Sequence, residues 1–405
     1  MAKISFVVMG GHGHVNPTLA LAEELARRGH AVDYWVTDEF RAAVEATGSR
    51  FRLLDSLLAK GERPKNMDKE TMLRMMPKKF VGETLHVLPQ IDRALAEDRP
   101  DLILYDNMIF GARVVADSLG IPSVALFTSY AGNGTFNLMK GLGPLPDDAQ
   151  AEFDEAIGQI ATKYGVKPVD FTELFSNPAG LNLVFMPKAW QFEGGSFDER
   201  YVFVGPCLGT RTAAADFPIE VLSRKPLLFI SLGTAFNDHP EFYKMTFDAF
   251  RDSAWNVVMS VGQKVDWSTL GEIPANFTVR KHVPQLAVLQ QTDVFLTHGG
   301  MNSTMEGLMN GVPLVSLPQM FEQAMTSRRI EELGVGISLA EKELSAELLR
   351  KSVDSVHESA EVKAKIEPLR DAIIMAGGPR LAGDVVETHL AKFASRETAP
   401  TEAAL

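Results

Sequence analysis

Two rhythms alternate along most of this chain: short apolar runs, and longer stretches in which apolar residues recur at helical spacing. Ile4 to Met9 is the first run, broken only by Ser5, as expected of a strand buried on both faces. Glycines follow at Gly10, Gly11 and Gly13. Val15, Leu19, Ala22, Leu25 and Ala26 then share one helical face. Arg27 and Arg28 complement the end of that helix, and Gly29 suits its C-terminal cap. Val32 to Val36 resumes as a strand, which completes one βαβ unit. Leu102 to Tyr105 and Val124 to Phe127 flank a helix near Ala112 to Leu119. Leu181 to Phe185 and Val202 to Val204 continue the series.

The rhythm then breaks. Residues 206–225 hold Pro206, Pro218 and the Ala-rich Thr212 to Ala215, and read as an interdomain linker after a domain spanning residues 1–205. A second series runs over residues 226–375, with strands at Leu227 to Leu232, Val257 to Val261, Val294 to Thr297, Pro313 to Leu317 and Val335 to Leu339. Residues 376–405 are expected to form a C-terminal helix and tail that pack back towards the first domain. Alternating strands and helices imply parallel sheets covered on both faces. The expected fold class is α/β: two Rossmann-like, doubly wound parallel-sheet domains facing a central cleft. Two segments, Gly61 to Glu83 with its methionines and Gly132 to Asp170, depart from simple alternation and are expected as insertions beside the first sheet's ligand face.

Composition narrows the function. With 405 residues, the chain suits two to three domains at ~100–200 residues each. A net charge of −12 and the lack of any Lys/Arg block argue against a nucleic-acid partner. The one cysteine, Cys207, excludes an intrachain disulfide and a cysteine zinc cluster, and reads as a buried hydrophobe. No apolar run approaches the ~20 residues of a membrane span, and the N-terminus lacks the apolar core of a secretory signal. These features lead to an expectation of a cytoplasmic protein without stable membrane association, monomeric or weakly dimeric.

Three motifs carry chemistry. The first, Gly10-Gly11-His12-Gly13-His14-Val15-Asn16-Pro17, follows the first strand, where doubly wound sheets bind ligands. It lacks the third glycine of the dinucleotide fingerprint, which disfavours a nicotinamide enzyme. His14 is placed to take a proton from a hydroxyl. The second is Leu104-Tyr105-Asp106-Asn107. Asp106 ends a buried strand at the same sheet edge, where its carboxylate can orient an imidazole and stabilise its protonated form. The third comprises His282-Val283-Pro284-Gln285, Thr297-His298-Gly299-Gly300-Met301-Asn302-Ser303-Thr304-Met305-Glu306-Gly307 and Glu322-Gln323. Here a strand runs through a glycine pair into a helix whose N-terminus suits an anion. Gly299 and Gly300 permit close approach of a diphosphate, His298 can donate to it, and Glu306 suits ribose hydroxyls.

On these residues, with Ile230-Ser231-Leu232-Gly233-Thr234, nearly the whole chain resembles the family 1 glycosyltransferases of GT-B fold. Within them it is similar to bacterial macrolide- and flavonoid-glycosylating UDP-glycosyltransferases. The resemblance implies His14 as catalytic base with Asp106 as its partner. It implies that the Val283 backbone reads uracil with Gln285 beside it, and that Glu306 holds ribose. Thr234, His298, Asn302 and Ser303 become phosphate contacts, and Glu322 and Gln323 hold the sugar hydroxyls. Met76, Phe80, Met108, Ser129 and Phe136 are the candidate acceptor wall. His282 and Met301 stand where plant members have tryptophan, and Glu322 replaces the commoner aspartate.

The implied reaction is an inverting, metal-independent transfer of a hexose, glucose above all, from a UDP-sugar co-substrate to a hydroxyl of a small apolar acceptor such as a flavonoid, another phenol or a macrolide. No other cofactor is called for. A UDP-sugar epimerase or a non-catalytic sugar-nucleotide-binding protein of the same fold is the alternative.

Overall fold

The computed structural model describes residues 1–60, 69–176, 179–209, 217–234 and 237–397, with side chains to residue 393. The chain divides into two compact units. One is Met1–Gly209 with the chain from Ala376 on; the other is Thr210–Met375.

The first unit is built on β1 (Lys3–Val7), β2 (Ala31–Val36), β3 (Arg50–Leu53), β4 (Leu102–Asp106), β5 (Ser123–Phe127), β6 (Leu181–Val184) and β7 (Tyr201–Phe203). They form one sheet in the order β3-β2-β1-β4-β5-β6-β7, and the pairs are parallel. Ile4, Phe6 and Val8 meet Leu21 and Leu25 of the helix His12–Arg27 on one face. The same core takes in Ala382 and Val386 from the C-terminal helix Gly378–Glu397. That helix is tied down by Arg28, whose Nη1 donates to Asp384 Oδ1 and Glu387 Oε2 at 2.7 Å each. Nη2 of the same guanidinium donates to the Arg380 carbonyl at 2.8 Å.

The second unit has β8 (Leu227–Ser231), β9 (Asn256–Ser260), β10 (Phe277–Arg280), β11 (Val294–Thr297), β12 (Leu314–Ser316) and β13 (Gly336–Ser338) in the parallel order β10-β9-β8-β11-β12-β13. Its core packs Leu228, Ile230, Val257, Met259, Val294 and Leu296 against Tyr243, Phe247, Leu349 and Val353.

The sequence reading left out two strands, β3 and β10, and both are sheet edges. β3 has the sequence Arg-Phe-Arg-Leu and is held as much by charge as by packing. Arg50 Nε donates to Asp33 Oδ1 of β2 at 2.6 Å, and Arg52 Nε to Asp33 Oδ2 at 3.3 Å. An edge strand has one neighbour and a solvated side, so it need not be an apolar run.

The stretch expected as a linker is packed at both its described ends. Cys207 is 1% exposed within the first core, and burial pushes its thiol pKa up. Val221 and Leu222 are buried on the 3-10 turn Ile219–Ser223, where the Val221 carbonyl accepts from Asn256 Nδ2 at 2.8 Å. Of the segment expected as a Met-rich insertion, residues 61–68 lie outside the described residues. The rest joins one long helix, Lys69–Glu97, against which the helix Asp147–Tyr164 packs. Among the described residues, no helix is long and apolar enough to cross a membrane.

Candidate active site

In each sheet the strand order reverses direction at one point, β1/β4 in the first and β8/β11 in the second. Loops leaving the carboxyl ends of such strands diverge and leave a crevice for ligands. The motif residues sit at these two points.

At the first, β1 leads through Gly10 and Gly11 into the helix His12–Arg27, which puts His14 in the opening turn. A methyl on Gly10 would lie 2.4 Å from Thr37 Oγ1, so only glycine fits there. The Thr18 hydroxyl donates to the His14 carbonyl at 2.8 Å and lies 2.6 Å from the Tyr34 hydroxyl, which buttresses the turn from behind. His14 Nδ1 stands 2.7 Å from Asp106 Oδ2 at the end of β4. Thr128, just beyond β5, brings Oγ1 to 3.1 Å from the same nitrogen. Asp106 is 0% exposed, and its Oδ1 accepts from the Met108 backbone N–H at 2.9 Å. An ionised carboxylate only accepts, so the proton of a neutral His14 belongs on Nδ1 and Nε2 carries the lone pair. The imidazole keeps about a quarter of its surface, 23%, open to solvent.

The candidate acceptor residues divide. Phe80 is buried among Phe171 and Phe175, with ring centroids at 6.4 and 4.9 Å, so its ring supports this segment from within. Phe136 stacks on Phe192 at 5.6 Å, both half-buried, and meets the buried Tyr130 edge-on at 6.2 Å. Met76, Met108 and Ser129 are also half-buried.

At the second switch point, β11 runs into Gly299, with φ 75°, and Gly300 starts the helix Met301–Met309 without a side-chain cap. The opening turn of a helix presents N–H groups that lack intrahelical partners. His298 is held edge to edge by glycines. A methyl on Gly233 would lie 2.5 Å from its Cε1, and one on Gly300 would lie 2.4 Å from its Nε2. Burial lowers the His298 pKa to about 4, and the neighbouring Ser231 backbone only partly offsets this. At neutral pH the imidazole is therefore an uncharged donor.

One turn further on, Glu306 is fully buried, and its Oε2 accepts from Gln285 Nε2 at 2.7 Å. The same amide lies 3.4 Å from Ser303 Oγ. Gln285 is thus brought from the short helix Gln285–Leu289 to Ser303 and Glu306, which lie one turn apart on Met301–Met309. Asn302 and Val283 are half-buried nearby in sequence, and Thr234 is exposed after β8. Glu322 and Gln323 open the helix Phe321–Glu332, and Gln323 Oε1 accepts from the Gln319 backbone at 2.8 Å. His282 is exposed, with its Nε2 2.8 Å from Gln263 Nε2. Sequence reasoning missed Thr128 as a partner of His14. The available signal was its position directly after a strand two places from β1 in the sheet.

Comparisons with known proteins agree with this fold. Residues 4–124 match the glycosyltransferase family 28 N-terminal domain. Residues 245–388 match the C-terminal domain of erythromycin biosynthesis protein CIII-like proteins. The NDP-glycosyltransferase YjiC of Bacillus subtilis (strain 168) is 41% identical over 397 residues, covering 96% of this chain and 98% of that protein. The demethyllactenocin mycarosyltransferase of Streptomyces fradiae is 33% identical over 408 residues, covering 97% of this chain and 88% of the relative. Among solved structures, the calicheamicin glycosyltransferase CalG4 superposes with a TM-score of 0.85 at 32% identity, covering 97% of this chain and 99% of that one. With a histidine–carboxylate pair at one switch point, a glycine-walled histidine beside a helix N-terminus at the other, and relatives matched along almost its entire length, the chain belongs to the bacterial family 1 glycosyltransferases and is a GT-B-fold enzyme of the macrolide/NDP-glycosyltransferase type.

Proposed function

We propose that the enzyme transfers a hexose, most simply glucose, from a UDP-sugar to a hydroxyl of a small apolar acceptor, with inversion and without a metal ion. The observation that carries this reading is the 2.7 Å contact between His14 Nδ1 and Asp106 Oδ2. It leaves Nε2 basic and aims a fixed negative charge at the imidazolium that forms. His14 Nε2 takes the acceptor proton as the hydroxyl oxygen attacks the anomeric carbon. The bond from that carbon to the diphosphate oxygen breaks, and the electron pair leaves with UDP. A single displacement inverts the anomeric centre. General-base assistance of this kind is worth ~10²–10⁴-fold.

The departing diphosphate is received by the opening turn of Met301–Met309 and by the His298 N–H, fixed dipoles that need no reorganisation. Glu306 accepts from the ribose hydroxyls, which favours a ribonucleotide over a thymidine donor. The stacked, half-buried Phe136 and Phe192, with Tyr130 packed against both, offer an apolar face suited to an aromatic or macrocyclic acceptor.

The test is mass spectrometry of the purified protein with UDP-glucose and a panel of phenols, flavonoids and macrolides, with TDP-glucose and added chelator in parallel. A hexose-sized gain that survives chelator supports the proposal. UDP binding without any product would favour an epimerase or a sugar-nucleotide-binding protein.

A further inference from the structure

The loop after β8 is fastened by a residue to which the mechanism gives no task. Asn237 is 3% exposed, and its Nδ2 donates to the Gly233 carbonyl at 2.9 Å. The same amide presses on the loop after β9, where a methyl on Gly262 would lie 2.0 Å from Nδ2. Gly262 has φ 77°, so neither its space nor its backbone admits a side chain. From the third side, the fully buried Tyr243 hydroxyl donates to the Asn237 carbonyl at 2.9 Å. Asn237 is thus held through both its main chain and its side chain.

What Asn237 holds is the wall of the His298 slot. Gly233, with φ 75°, presents its bare Cα to the imidazole, and Gly300 closes the other flank. Gly262, Asn237, Gly233, His298 and Gly300 therefore form one continuous contact series. It runs from the loop after β9, through the loops after β8 and β11, to the start of the helix Met301–Met309. Among the described residues, Asn237 Oδ1 has no hydrogen-bond partner although it is buried. A buried acceptor left unmade is costly. An amide kept under that penalty points to a task for its N–H.

We infer that Asn237 is a positioning residue for the diphosphate cradle, setting the Gly233 turn against His298 and hence the imidazole's place beside the helix N-terminus. The inference rests on the donor reading above. It predicts a defect confined to the phosphate end of the donor, because Gln285 and Glu306 lie outside the series.

The test compares the binding of UDP and of uridine by calorimetry on the full-length chain, together with Tm, for wild type, Asn237→Ala, Asn237→Asp and Gly262→Ala. Asn237→Ala removes the bond to the Gly233 carbonyl. Asn237→Asp keeps the shape but cannot donate, and Gly262→Ala drives the amide away from the other side. UDP affinity should fall about fivefold to tenfold in Asn237→Ala, the cost of one hydrogen bond, and at least as far in the other two. Uridine affinity should be unchanged, and the donor KM should rise while the acceptor KM holds. An equal loss for UDP and uridine, or no loss of either, would overturn the inference and leave Asn237 a packing residue. A wild-type protein that fails to bind UDP would overturn the donor reading itself.

Discussion

His14 Nδ1 and Asp106 Oδ2 lie 2.7 Å apart although 92 residues separate them in the chain. β1 and β4 are neighbours in the sheet, and each residue follows or ends its strand at the same edge. Asp106 has no solvent to compensate its charge, so its two oxygens are committed to the imidazole and to the Met108 N–H. His14→Ala should lower kcat by ~10²–10⁴-fold and leave UDP affinity unchanged. Asp106→Asn should lower kcat over a similar range, because an amide can donate to Nδ1 and stabilise the wrong tautomer. Steady-state kinetics beside UDP calorimetry checks both. A loss of UDP binding that tracks the loss of turnover would remove His14 from the role of base.

Gly300 has an ordinary φ of −68°, so Gly300→Ala strains no backbone. The added methyl would nevertheless fall 2.4 Å from His298 Nε2. The expected result is a drop in UDP affinity of about tenfold or more, with a loss of stability of about 1 kcal/mol or more from the N-cap preference for glycine over alanine and the displaced imidazole. Unaltered affinity would mean that His298 does not contact the donor.

Glu306→Gln keeps the volume of a fully buried side chain but removes its charge. Hydrogen bonds to charged groups are worth about 1.5–3 kcal/mol, so UDP should bind about tenfold to a hundredfold more weakly. Thymidine diphosphate, which lacks the 2′-hydroxyl, should be less affected. Equal losses for the two nucleotides would place Glu306 away from the ribose.

His298 also gives stability a pH dependence of known sign. Its pKa is near 6.5 in the unfolded chain and about 4 in the folded protein. The unfolded state therefore binds the proton first, and stability is lost as pH falls from about 6.5 to about 4. Above pH 6.5 the residue contributes no slope. Carboxylates titrate in the lower part of this window, so the measurement is the difference in Tm between wild type and His298→Asn across it. The variant's curve should be flatter. Parallel curves would show that the imidazole is better solvated than its packing implies.

Arg28→Ala should destabilise the first unit by about 1–3 kcal/mol, since it removes charge-assisted bonds to Glu24, Asp384 and Glu387 from a mostly shielded guanidinium. Denaturant unfolding checks the value. No change in midpoint would make the docking of the C-terminal helix purely apolar.

Strands read from the sequence are those with a continuous apolar run, whether central like β4 or at an edge like β7. β4 is buried throughout, and its run Leu102 to Tyr105 announces it. β3 and β10 are edges, and their alternation of Arg or Thr with Phe, Leu or Val is too short and too polar to stand out. The pairing of Gln285 with Glu306 was legible only as two residues expected at one ligand, because the contact depends on how the short helix Gln285–Leu289 meets Met301–Met309. Asn237 escaped altogether. A lone Asn in a loop carries no sign that Gly262 lies against it. Phe80 is expected from the sequence in the acceptor wall, because its apolar character signals burial without saying whether against a ligand or against Phe171 and Phe175.

Ala382 and Val386 belong to the same core as Ile4 and Phe6. The first unit is therefore discontinuous in sequence, with Thr210–Met375 threaded through it as an insert. During synthesis, the strands of the first sheet emerge long before the helix that seals one of their faces. A ribosome that has finished the second unit still holds back the last piece of the first. The inserted unit can therefore complete its core while the unit carrying His14 still lacks its last helix, and that first unit is finished only when the C-terminal helix docks.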